Sequence, residues 1–514
     1  MSQNLYDFLT EGFGALADCI ETPSGRRYTF GDLDSLSARF ASLLTEGGIV
    51  PGDRVAVQVA KSPESVALYL ACLRAGAVYL PLNTSYTGSE VEYFIADAEP
   101  KLVISAPERE QQTAELCGRR GVRYLFTLGA KGDGSLVEKS RAMSTAFRSV
   151  ASAENDVAAL LYSSGTTGRA KGVMLTNQNL ASNAEVLVHA WGFTDRDVLL
   201  HALPIFHVHG LFVALHCALL SHSRILFLPR FDAIEVCARL PLASVFMGVP
   251  TYYSRLLGRP DLGPEICSSM RLFISGSAPL LPETFEEFRR RTGHLILERY
   301  GMTETNMNTS NPLAGPRLPG TVGLPLPRIE VRTADSMDQP LARSAIGEIQ
   351  IRGPNVFAGY WHKPELSAAC FTRDGFFRTG DLGFLSENGY LSIVGRSKDL
   401  IISGGYNVYP KEIEDCINML EGVHESAVIG MPHPDFGEVV VAIVVPRPGA
   451  TLDVASIAAA LRQTLANYKL PKLLIPVEEL PRNAMGKVQK KVLRESCLHA
   501  WRVHLGDTTR NRSA

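Results

Sequence analysis

Short runs of apolar and β-branched residues alternate with helix-forming stretches through the first three quarters of the chain. The run DRVAVQVA (53–60) predicts a buried strand, SPESVALYLACLRAG (62–76) an amphipathic helix, and VYLPLN (78–83) the next strand. Further strands are predicted at 100–106, 224–229, 244–250 and 271–277. Strands that alternate with helices in this way build mostly parallel sheets with helices on their faces. The pattern predicts an α/β fold whose large N-terminal domain consists of stacked α/β sheets.

The pattern changes near Gly347, where short strands are separated by the hairpin turns Asp374-Gly375 and Asn388-Gly389. A β-rich subdomain is therefore expected there. After Arg396 a smaller α+β unit follows, with helices predicted at 410–420 and 455–465 and strands at 425–432 and 438–446. We predict an N-terminal domain at 1–396 and a small, mobile C-terminal domain at 397–514.

Length and charge exclude several classes of protein. The 514 residues exceed what one compact core usually holds, and 51 Lys and Arg against 53 Asp and Glu give a net charge of −2. This balance offers no basic surface for nucleic acid or for a membrane. The acidic N-terminal stretch does not resemble a targeting signal. The nine scattered cysteines include no C-x-x-C pair and predict buried, reduced thiols, which favours a cytoplasmic protein.

The segment SSGTTGRAKG (163–172) carries the strongest chemical signal. It follows a predicted strand at 158–162 and precedes a helix for which Thr176 is the expected N-cap. Glycines let a backbone fold around phosphate oxygens, and hydroxyls, N–H groups and Lys171 supply donors. Lys171 is followed by Gly172, so the segment is not a Walker A loop. A flexible surface loop is the alternative interpretation.

This segment closely resembles the phosphate loop of adenylate-forming enzymes, the superfamily that includes acyl-CoA synthetases, peptide-synthetase adenylation domains and luciferase. Five more segments resemble that superfamily, in its order: GSAPL (276–280), YGMTE (300–304), RTGDLG (378–383), GRSKDLIISGGYNVYPKEIE (395–414) and PRNAMGKVQKKVL (481–493). The resemblance implies an enzyme that uses ATP, Mg²⁺ and coenzyme A.

The resemblance also implies which residues contact ATP. They are Ser163, Ser164, Gly165, Thr166, Thr167, Gly168, Lys171, Ser277, Ala278, Pro279, Glu298, Arg299, Tyr300, Gly301, Met302, Thr303, Asp381, Arg396, Lys398 and Lys487. Asp381 would accept hydrogen bonds from two ribose hydroxyls, and Thr166 and Glu304 offer hard oxygen ligands for Mg²⁺. The alternatives are a turn aspartate at 381, a surface glutamate at 304 and a surface arginine at 396.

Lys487 matches the lysine with which this superfamily catalyses adenylation. A flexible stem ending in a point charge suits an α-phosphate oxygen and an attacking carboxylate. Lys398 matches the hinge about which the C-terminal domain turns between the two half-reactions. That turn would present Ser403, Gly404, Gly405 and Tyr406 to CoA. Solvated lysines and ordinary turn glycines are the alternatives.

The identity of the acid depends on HALPIFHVHGLF (201–212) and on two arginines. His207 is expected to orient the reacting carboxylate as a catalytic residue with Lys487 and Glu304, although His207 and His209 could be core histidines. Burying an unpaired second carboxylate would be costly, and an arginine reverses that preference. The expected substrate contacts are Arg299, Arg255, His209, Ser277 and Met302.

Extended strings such as MGVPTYYSRLL and ERYGMTETNMNTSNP resemble the malonyl-CoA synthetase branch of the superfamily. The resemblance implies that malonate, ATP and CoA give malonyl-CoA, AMP and pyrophosphate through malonyl-AMP, and that methylmalonate could be accepted. A ligase for another short acid and a module that loads a carrier-protein thiol remain alternatives. Because Lys487 is expected in an exposed loop, a lysine acetyltransferase is a predicted partner.

Overall fold

The structure is a computed structural model that describes residues 4–163, 170–483 and 485–504. Contacts divide the chain into two compact units, Met1–Val331 with Ile351–Phe377 and Arg332–Gln350 with Arg378–Ala514. The predicted division at residue 396 falls inside the second unit. The division at residue 396 describes which segment moves during catalysis, and this division stays a prediction.

The helices begin and end as follows: α1 Leu5–Thr10, α2 Phe30–Glu46, α3 Pro63–Arg74, α4 Gly88–Ala98, α5 Glu110–Arg120, α6 Ser135–Ser140, α7 Asn177–Ala190, α8 His216–Leu220, α9 Ala233–Arg239, α10 Pro250–Leu257, α11 Pro282–Thr292, α12 Pro364–Ala369, α13 Pro410–Asn418, α14 Val454–Thr464 and α15 Lys490–His504. Several begin at capping boxes. The hydroxyl of Thr176, the predicted cap of α7, accepts a hydrogen bond from the Asn179 backbone N–H, and the Asn179 side-chain oxygen accepts one from the Thr176 backbone N–H. A π-helix at His209–Leu215 leads directly into α8.

The strands are β1 Asp18–Glu21, β2 Arg27–Thr29, β3 Arg54–Gln58, β4 Val78–Pro81, β5 Leu102–Ser105, β6 Tyr124–Thr127, β7 Val157–Ser163, β8 Lys171–Thr176, β9 Val198–His201, β10 Arg224–Phe227, β11 Val245–Gly248, β12 Leu272–Ser275, β13 Ile296–Met302, β14 Asn306–Ser310, β15 Leu324–Pro325, β16 Glu330–Ala334, β17 Gly347–Arg352, β18 Gly359–Tyr360, β19 Phe377–Leu385, β20 Leu391–Arg396, β21 Ile401–Ser403, β22 Tyr406–Val408, β23 Val423–His433, β24 Gly437–Pro446 and β25 Leu473–Pro476. Every strand predicted from an apolar run forms near its predicted position.

The first unit contains two large sheets. One has the order β15-β14-β13-β12-β11-β9-β10-β1-β2, and the other has the order β18-β8-β7-β4-β3-β5-β6. The central strands of both are parallel, as the alternation with helices predicts. Antiparallel strands close the sheets at their ends, where β13 pairs with β14 and β7 pairs with β8.

Helices from the two sheets pack against one another inside the first unit. Tyr69 of α3, which connects two strands of the seven-stranded sheet, shares a 2.8 Å hydrogen bond with His216 of α8, which connects two strands of the nine-stranded sheet. Both side chains are fully buried. The opposite faces carry apolar cores of their own, one around Phe246, Phe273 and Phe288 and the other around Phe94. This packing confirms the predicted architecture of stacked α/β sheets.

The second unit contains a four-stranded sheet, β16-β17-β19-β20, and a sheet built from β21 to β25. The predicted turn at Asn388-Gly389 joins β19 to β20, and Gly389 has a φ of +83°, which suits glycine. Two apolar clusters line the sheet of β21 to β25, one with α13 and α14 and the other with α15. The predicted β-rich and α+β segments are therefore confirmed.

All nine cysteines are in the thiol form, and seven of them are buried. Burial raises the pKa of Cys267 to about 12 and that of Cys117 to about 11. Within the three described ranges, the helices are all too short or too polar to cross a lipid bilayer.

Candidate active site

Four neighbouring strands of the nine-stranded sheet end close to the residues predicted to bind the acid. The order β13-β12-β11-β9 is parallel, so the carboxyl ends of these strands lie at one edge. The π-helix with His209 follows β9, α10 follows β11, and Gly276-Ser277 follows β12. Open α/β sheets bind ligands at this edge. The topology therefore assembles segments that lie far apart in the sequence.

Arg299 is the central residue of this cluster. It lies in β13 and is 3% exposed, and its buried Nε and Nη2 atoms have no hydrogen-bond partner among the residues that the structure describes. Burial lowers the pKa of Arg299 to about 9, so the guanidinium remains charged at neutral pH. A buried cation whose donors lack acceptors is costly unless a ligand supplies the opposite charge. An anionic group with two oxygens matches the planar guanidinium.

Two histidines lie beside this guanidinium. Burial, and then the charge of Arg299, lower the pKa of His207 to about 4, and burial followed by Arg299 also lowers the pKa of His209. Both rings are therefore neutral at neutral pH. The backbone N–H of His209 donates to His207 Nδ1 at 3.2 Å, which leaves the ring proton of His207 on Nε2. His209 Nε2 is buried with no partner in the described part of the chain, and its Nδ1 lies 3.3 Å from Ser277 Oγ.

Ser277 and Gly276 adapt the backbone to the cluster. Ser277 has a φ of +73°, a left-handed conformation that costs energy for a residue with a side chain. A Cβ atom at Gly276 would overlap the guanidinium of Arg299, so the arginine lies directly over this glycine. Strained conformations of this kind concentrate at ligand-binding sites.

Arg255 is not brought into the cluster by the described contacts. It is exposed on α10, where its charge lies near the hydroxyl of Tyr252. The buried residues of that helix are Tyr253 and Leu256. The Tyr253 hydroxyl donates to the Ile274 carbonyl at 2.6 Å, and Tyr253 interacts electrostatically with Arg299. The predicted substrate contact at Arg255 gains no support from this geometry.

The predicted nucleotide residues of the same unit form a second group around Glu304. Glu304 is 6% exposed, which makes it a buried residue rather than a surface glutamate. Its Oε1 accepts hydrogen bonds from the Tyr360 hydroxyl at 3.1 Å and from Ser163 Oγ at 3.3 Å. Lys171 lies opposite Ser163 in the β7–β8 hairpin, and its Nζ is 5.1 Å from the centre of the Tyr360 ring. Ser164, Gly165, Thr166, Thr167 and Gly168 lie outside the described residues.

The remaining predicted contacts of the first unit lie on or beside β13. Glu298 and Tyr300 are buried, whereas Gly301, Met302, Thr303 and Ala278 are partly exposed and Pro279 is exposed. A Cβ atom at Gly301 would overlap the Asn306 carbonyl, so the tight β13–β14 connection requires glycine there.

In the second unit, the predicted ribose residue Asp381 lies in β19 opposite Arg396 of β20. The Asp381 carboxylate accepts from Arg396 Nε at 2.8 Å, and its side chain is 5% exposed, so Asp381 is not a turn residue. Desolvation, and then the charge of Arg396, lower the pKa of Lys487 to about 8, although the residue as a whole is exposed. Lys398 contributes to the same electrostatic group, and its own pKa is lowered by desolvation. Three segments distant in sequence therefore meet within this unit.

The model of the AMP-binding enzyme family matches residues 12–361, and that of the AMP-binding enzyme C-terminal domain matches residues 412–487. The first match covers more than half of the chain. The chain belongs to the AMP-binding enzyme family. It has that family's mixed α/β fold, with a large N-terminal and a small C-terminal domain.

Relatives within the AMP-binding enzyme family differ in the acid for which they are named. A mitochondrial malonate–CoA ligase of Mus musculus is 37% identical over 482 residues, 87% of this chain and 82% of its own. A long-chain-fatty-acid–CoA ligase of Bacillus subtilis is 33% identical over 508 residues, 92% of this chain and 90% of its own. The crystal structure of ATP-bound MatB from Rhodopseudomonas palustris is 50% identical, covers 98% of this chain and 100% of its own, and has a TM-score of 0.95.

The residues present fit the Mg²⁺ that accompanies ATP. Among the described residues, no group of three or more His, Cys, Asp or Glu side chains could hold a metal by itself. Mg²⁺ with ATP needs no such cage, because one or two protein oxygens and the phosphates complete its shell. The buried carboxylate of Glu304, already oriented by two hydroxyl groups, is such an oxygen donor.

The predicted CoA segment forms a tight hairpin. Ser403 pairs with Tyr406, and Gly404 and Gly405 between them have φ values of +56° and +83°. This two-residue turn by itself accounts for both glycines. The role of these residues toward CoA stays a prediction.

Three residues of the candidate site are not predicted as site residues from the sequence: Gly276, Tyr253 and Tyr360. Gly276 carried a usable signal, since a glycine directly after a buried strand indicates close approach of another group. Tyr253 and Leu256 are spaced as one helical face, which excludes Arg255 from that face. Tyr360 had no local signal, because its contacts with Glu304 and Lys171 arise only from tertiary structure.

Proposed function

We propose that this protein is an ATP-dependent malonate–CoA ligase. The carboxylate of malonate attacks the α-phosphate of ATP and releases pyrophosphate, and the thiol of CoA then displaces AMP from malonyl-AMP. ATP with Mg²⁺ and CoA are the co-substrates of this family's CoA ligases. The observation that carries the choice of malonate is Arg299, a buried cation with two unpaired donor nitrogens.

In this proposal Arg299 binds the carboxylate that does not react. The guanidinium stays charged, and its unpaired Nε and Nη2 are the two edge donors that a carboxylate accepts together. A fatty acid would place an apolar chain against these donors and leave them buried and unpaired. A short diacid satisfies them. Met302, partly exposed at the end of β13, sets the tolerance for the methyl group of methylmalonate, which usually changes discrimination by about 1–3 kcal/mol.

The carboxylate that reacts is assigned to His207. Because its Nδ1 accepts from the backbone and its pKa is low, the neutral ring offers an Nε2–H donor without adding a competing charge. A neutral donor orients a carboxylate while leaving its oxygen nucleophilic. His209 and Ser277 form the adjoining wall, joined by their own 3.3 Å contact.

The nucleotide is assigned to two groups of residues. Ser163, Lys171 and Glu304 serve the phosphates and Mg²⁺, which when bound neutralises phosphate charge. Asp381 receives the ribose hydroxyls while Arg396 holds its carboxylate, and Lys487 stabilises the charge that develops on the α-phosphate during attack. CoA is assigned to the turn at 403–406.

The test measures AMP and pyrophosphate release with malonate, methylmalonate, acetate, octanoate and coumarate, each with and without CoA. Malonate is expected to give the highest kcat/KM, and CoA is expected to be required for multiple turnovers. Turnover with acetate or octanoate equal to that with malonate would reject the assignment of a diacid. Release of AMP that depends on a carrier protein and not on CoA would identify a carrier-loading enzyme.

We further propose that acetylation of Lys487 switches the enzyme off. Desolvation holds the pKa of Lys487 near 8, so a fraction of the amine is uncharged and nucleophilic near neutral pH, and the residue is exposed. Acetylation removes the charge that adenylation needs. Mass spectrometry should find acetyl-Lys487 in a growth state with low activity, and deacetylation should restore adenylate formation. Unmodified Lys487 in all growth states would contradict this regulation.

We also propose that the protein is located in the cytoplasm. It is supported by nine free thiols, seven of them buried in apolar surroundings. Cell fractionation with activity as the marker tests it, and recovery of the activity in an organelle would contradict it.

A further inference from the structure

Tyr360 connects the two charged groups of the proposed nucleotide site. Its hydroxyl donates to Glu304 Oε1 at 3.1 Å, and its ring faces Lys171 Nζ at 5.1 Å from the ring centre. The side chain is buried, at 6% exposure. One side chain with few rotamers therefore contacts an acid through its hydroxyl and a base through its ring face.

The backbone around Tyr360 is fixed by the same two segments. The short strand β18 pairs with β8, so that Tyr360 lies opposite Val173. The backbone N–H of Trp361 donates to the Gly172 carbonyl at 2.8 Å. The N–H of Phe357, just before β18, donates to the Glu304 carbonyl at 2.8 Å. One short segment therefore joins the strand that begins with Lys171 to the turn that contains Glu304.

Two further contacts hold Tyr360 in place. Its backbone N–H donates to Ser367 Oγ at 2.8 Å, and its ring packs edge-on against Phe357 with centroids 4.9 Å apart. The phenolic hydroxyl carries a proton and serves as the donor in its contact with Glu304. The carboxylate of Glu304 thus meets a permanent, immobile donor on one of its oxygens.

We propose that Tyr360 is a positioning residue for the Mg·ATP complex. Its hydroxyl fixes the rotamer of the Glu304 carboxylate that receives Mg²⁺, and its ring fixes the ammonium group of Lys171 for the phosphates. Tyr360 itself touches neither the metal nor the nucleotide. The inference rests on the proposed function only in taking Mg·ATP as co-substrate, and it does not depend on malonate as the acid.

Two substitutions separate the two contacts. Y360F removes the hydroxyl and keeps the ring, and Y360L removes both. Partners that orient a metal ligand typically contribute about 10–100-fold to metal affinity. For Y360F we expect about tenfold weaker binding of Mn²⁺ in the presence of α,β-methylene-ATP. This is measured from the electron paramagnetic resonance signal of free Mn²⁺, so the readout does not require turnover.

The cation–ring contact has its own readout. Y360L should weaken binding of the ATP analogue without metal by about threefold, consistent with a contact of modest strength. Y360F should bind the metal-free analogue as the wild type does, since its ring is intact. In turnover, Y360F should raise the Mg²⁺ concentration needed for half-maximal rate while the KM for the acid stays unchanged.

Tyr162 provides a matched control. Tyr162 lies in strand β7, and its hydroxyl also donates to a carboxylate, that of Asp97, at 2.6 Å. Y162F therefore removes an equivalent hydrogen bond and should leave Mn²⁺ affinity unchanged. Equal losses in Y162F and Y360F would show a general structural effect and would overturn the proposal, as would wild-type Mn²⁺ affinity in Y360F.

A double-mutant cycle keeps the inference testable if Y360F is less stable than the wild type. In an E304Q background, where the carboxylate is already removed, Y360F should cause no further loss of Mn²⁺ affinity. Additive losses would overturn the proposal. If the wild-type protein does not activate malonate, the proposed substrate is wrong. The Mn²⁺ measurements would still decide whether Tyr360 positions Glu304.

Discussion

Two buried charges of this protein differ in what surrounds them. In the first unit, Arg299 has two donor nitrogens without an acceptor. In the second unit, Asp381 is equally buried, but Arg396 donates to it at 2.8 Å across paired strands. A charge that is already paired is held in place by the fold, whereas an unpaired charge needs something from outside the chain.

Under the proposed function, this difference would separate nucleotide recognition at Asp381 from selection of the acid at Arg299. Asp381 is pre-oriented by its partner and is suited to a neutral ligand such as a ribose, which brings hydroxyl donors and no charge. Arg299 has no counter-charge among the described residues and is suited to an anion. The absence of a partner at Arg299 is thus more informative about the substrate than the ion pair at Asp381.

The largest expected effect comes from the second unit. K487A should reduce malonyl-AMP formation by about 1,000-fold, because it removes the charge that stabilises the reacting α-phosphate. Thioester formation from supplied malonyl-AMP should be retained. Single-turnover assays of each half-reaction measure both. K491A is the control, since Lys491 is a highly exposed lysine on the following helix. Equal losses in both half-reactions of K487A would contradict the assignment.

The next effect tests the unpaired charge directly. R299L should raise the KM for malonate by about 100-fold, because the free carboxylate of the substrate would then be buried without a partner. The KM for ATP should change far less than the KM for malonate. R255L is the informative companion, because Arg255 is exposed on α10. A comparable rise in R255L would restore the prediction made from the sequence, and an unchanged KM in R299L would place the acid elsewhere.

The sequence was most reliable where structure depends on neighbouring residues. The strands at Arg54–Gln58 and Leu272–Ser275 follow from apolar runs, and α7 begins at its predicted cap, Thr176. Burial, by contrast, depends on the whole fold. Asp381 was identified by resemblance, but its pairing with Arg396 follows from the register of two strands.

The candidate site was only partly predictable for the same reason. Arg299 was singled out, yet the unpaired nitrogens that make it informative depend on how β12 and β13 align over Gly276. Tyr360 could not have been found, since it meets Glu304 and Lys171 through pairing of β18 with β8. Arg255 shows the opposite case. It is predicted from resemblance, but Tyr253 and Leu256 occupy the buried face of α10 and leave Arg255 exposed.

The third effect concerns pH and Lys487. Its pKa is lowered to about 8, below the usual value for lysine, so the charge is present below that pH and is lost as the pH rises through it. The rate of malonyl-AMP formation should fall about tenfold for each pH unit above the pKa. Single-turnover rates between neutral pH and mildly alkaline pH measure this. K487R should be slower but lack the fall, because arginine remains charged. A flat profile in the wild type would contradict the lowered pKa.

The smallest expected effect is on thermal stability, and it tests the difference between the two buried charges, Arg299 and Asp381. Without ligands, D381N should lower the melting temperature by a few degrees, because it weakens a buried pair worth about 1–3 kcal/mol. R299L should leave the melting temperature unchanged or raise it, because it removes a buried charge that the protein itself does not neutralise. Malonate should then raise the melting temperature of the wild type and of D381N but not that of R299L, since only a protein that binds the ligand is stabilised by it. Differential scanning fluorimetry with malonate and with acetate provides the measurement. A large loss of stability in R299L without ligand would mean that the arginine has an internal role, and the difference between the two charges would then no longer identify the substrate.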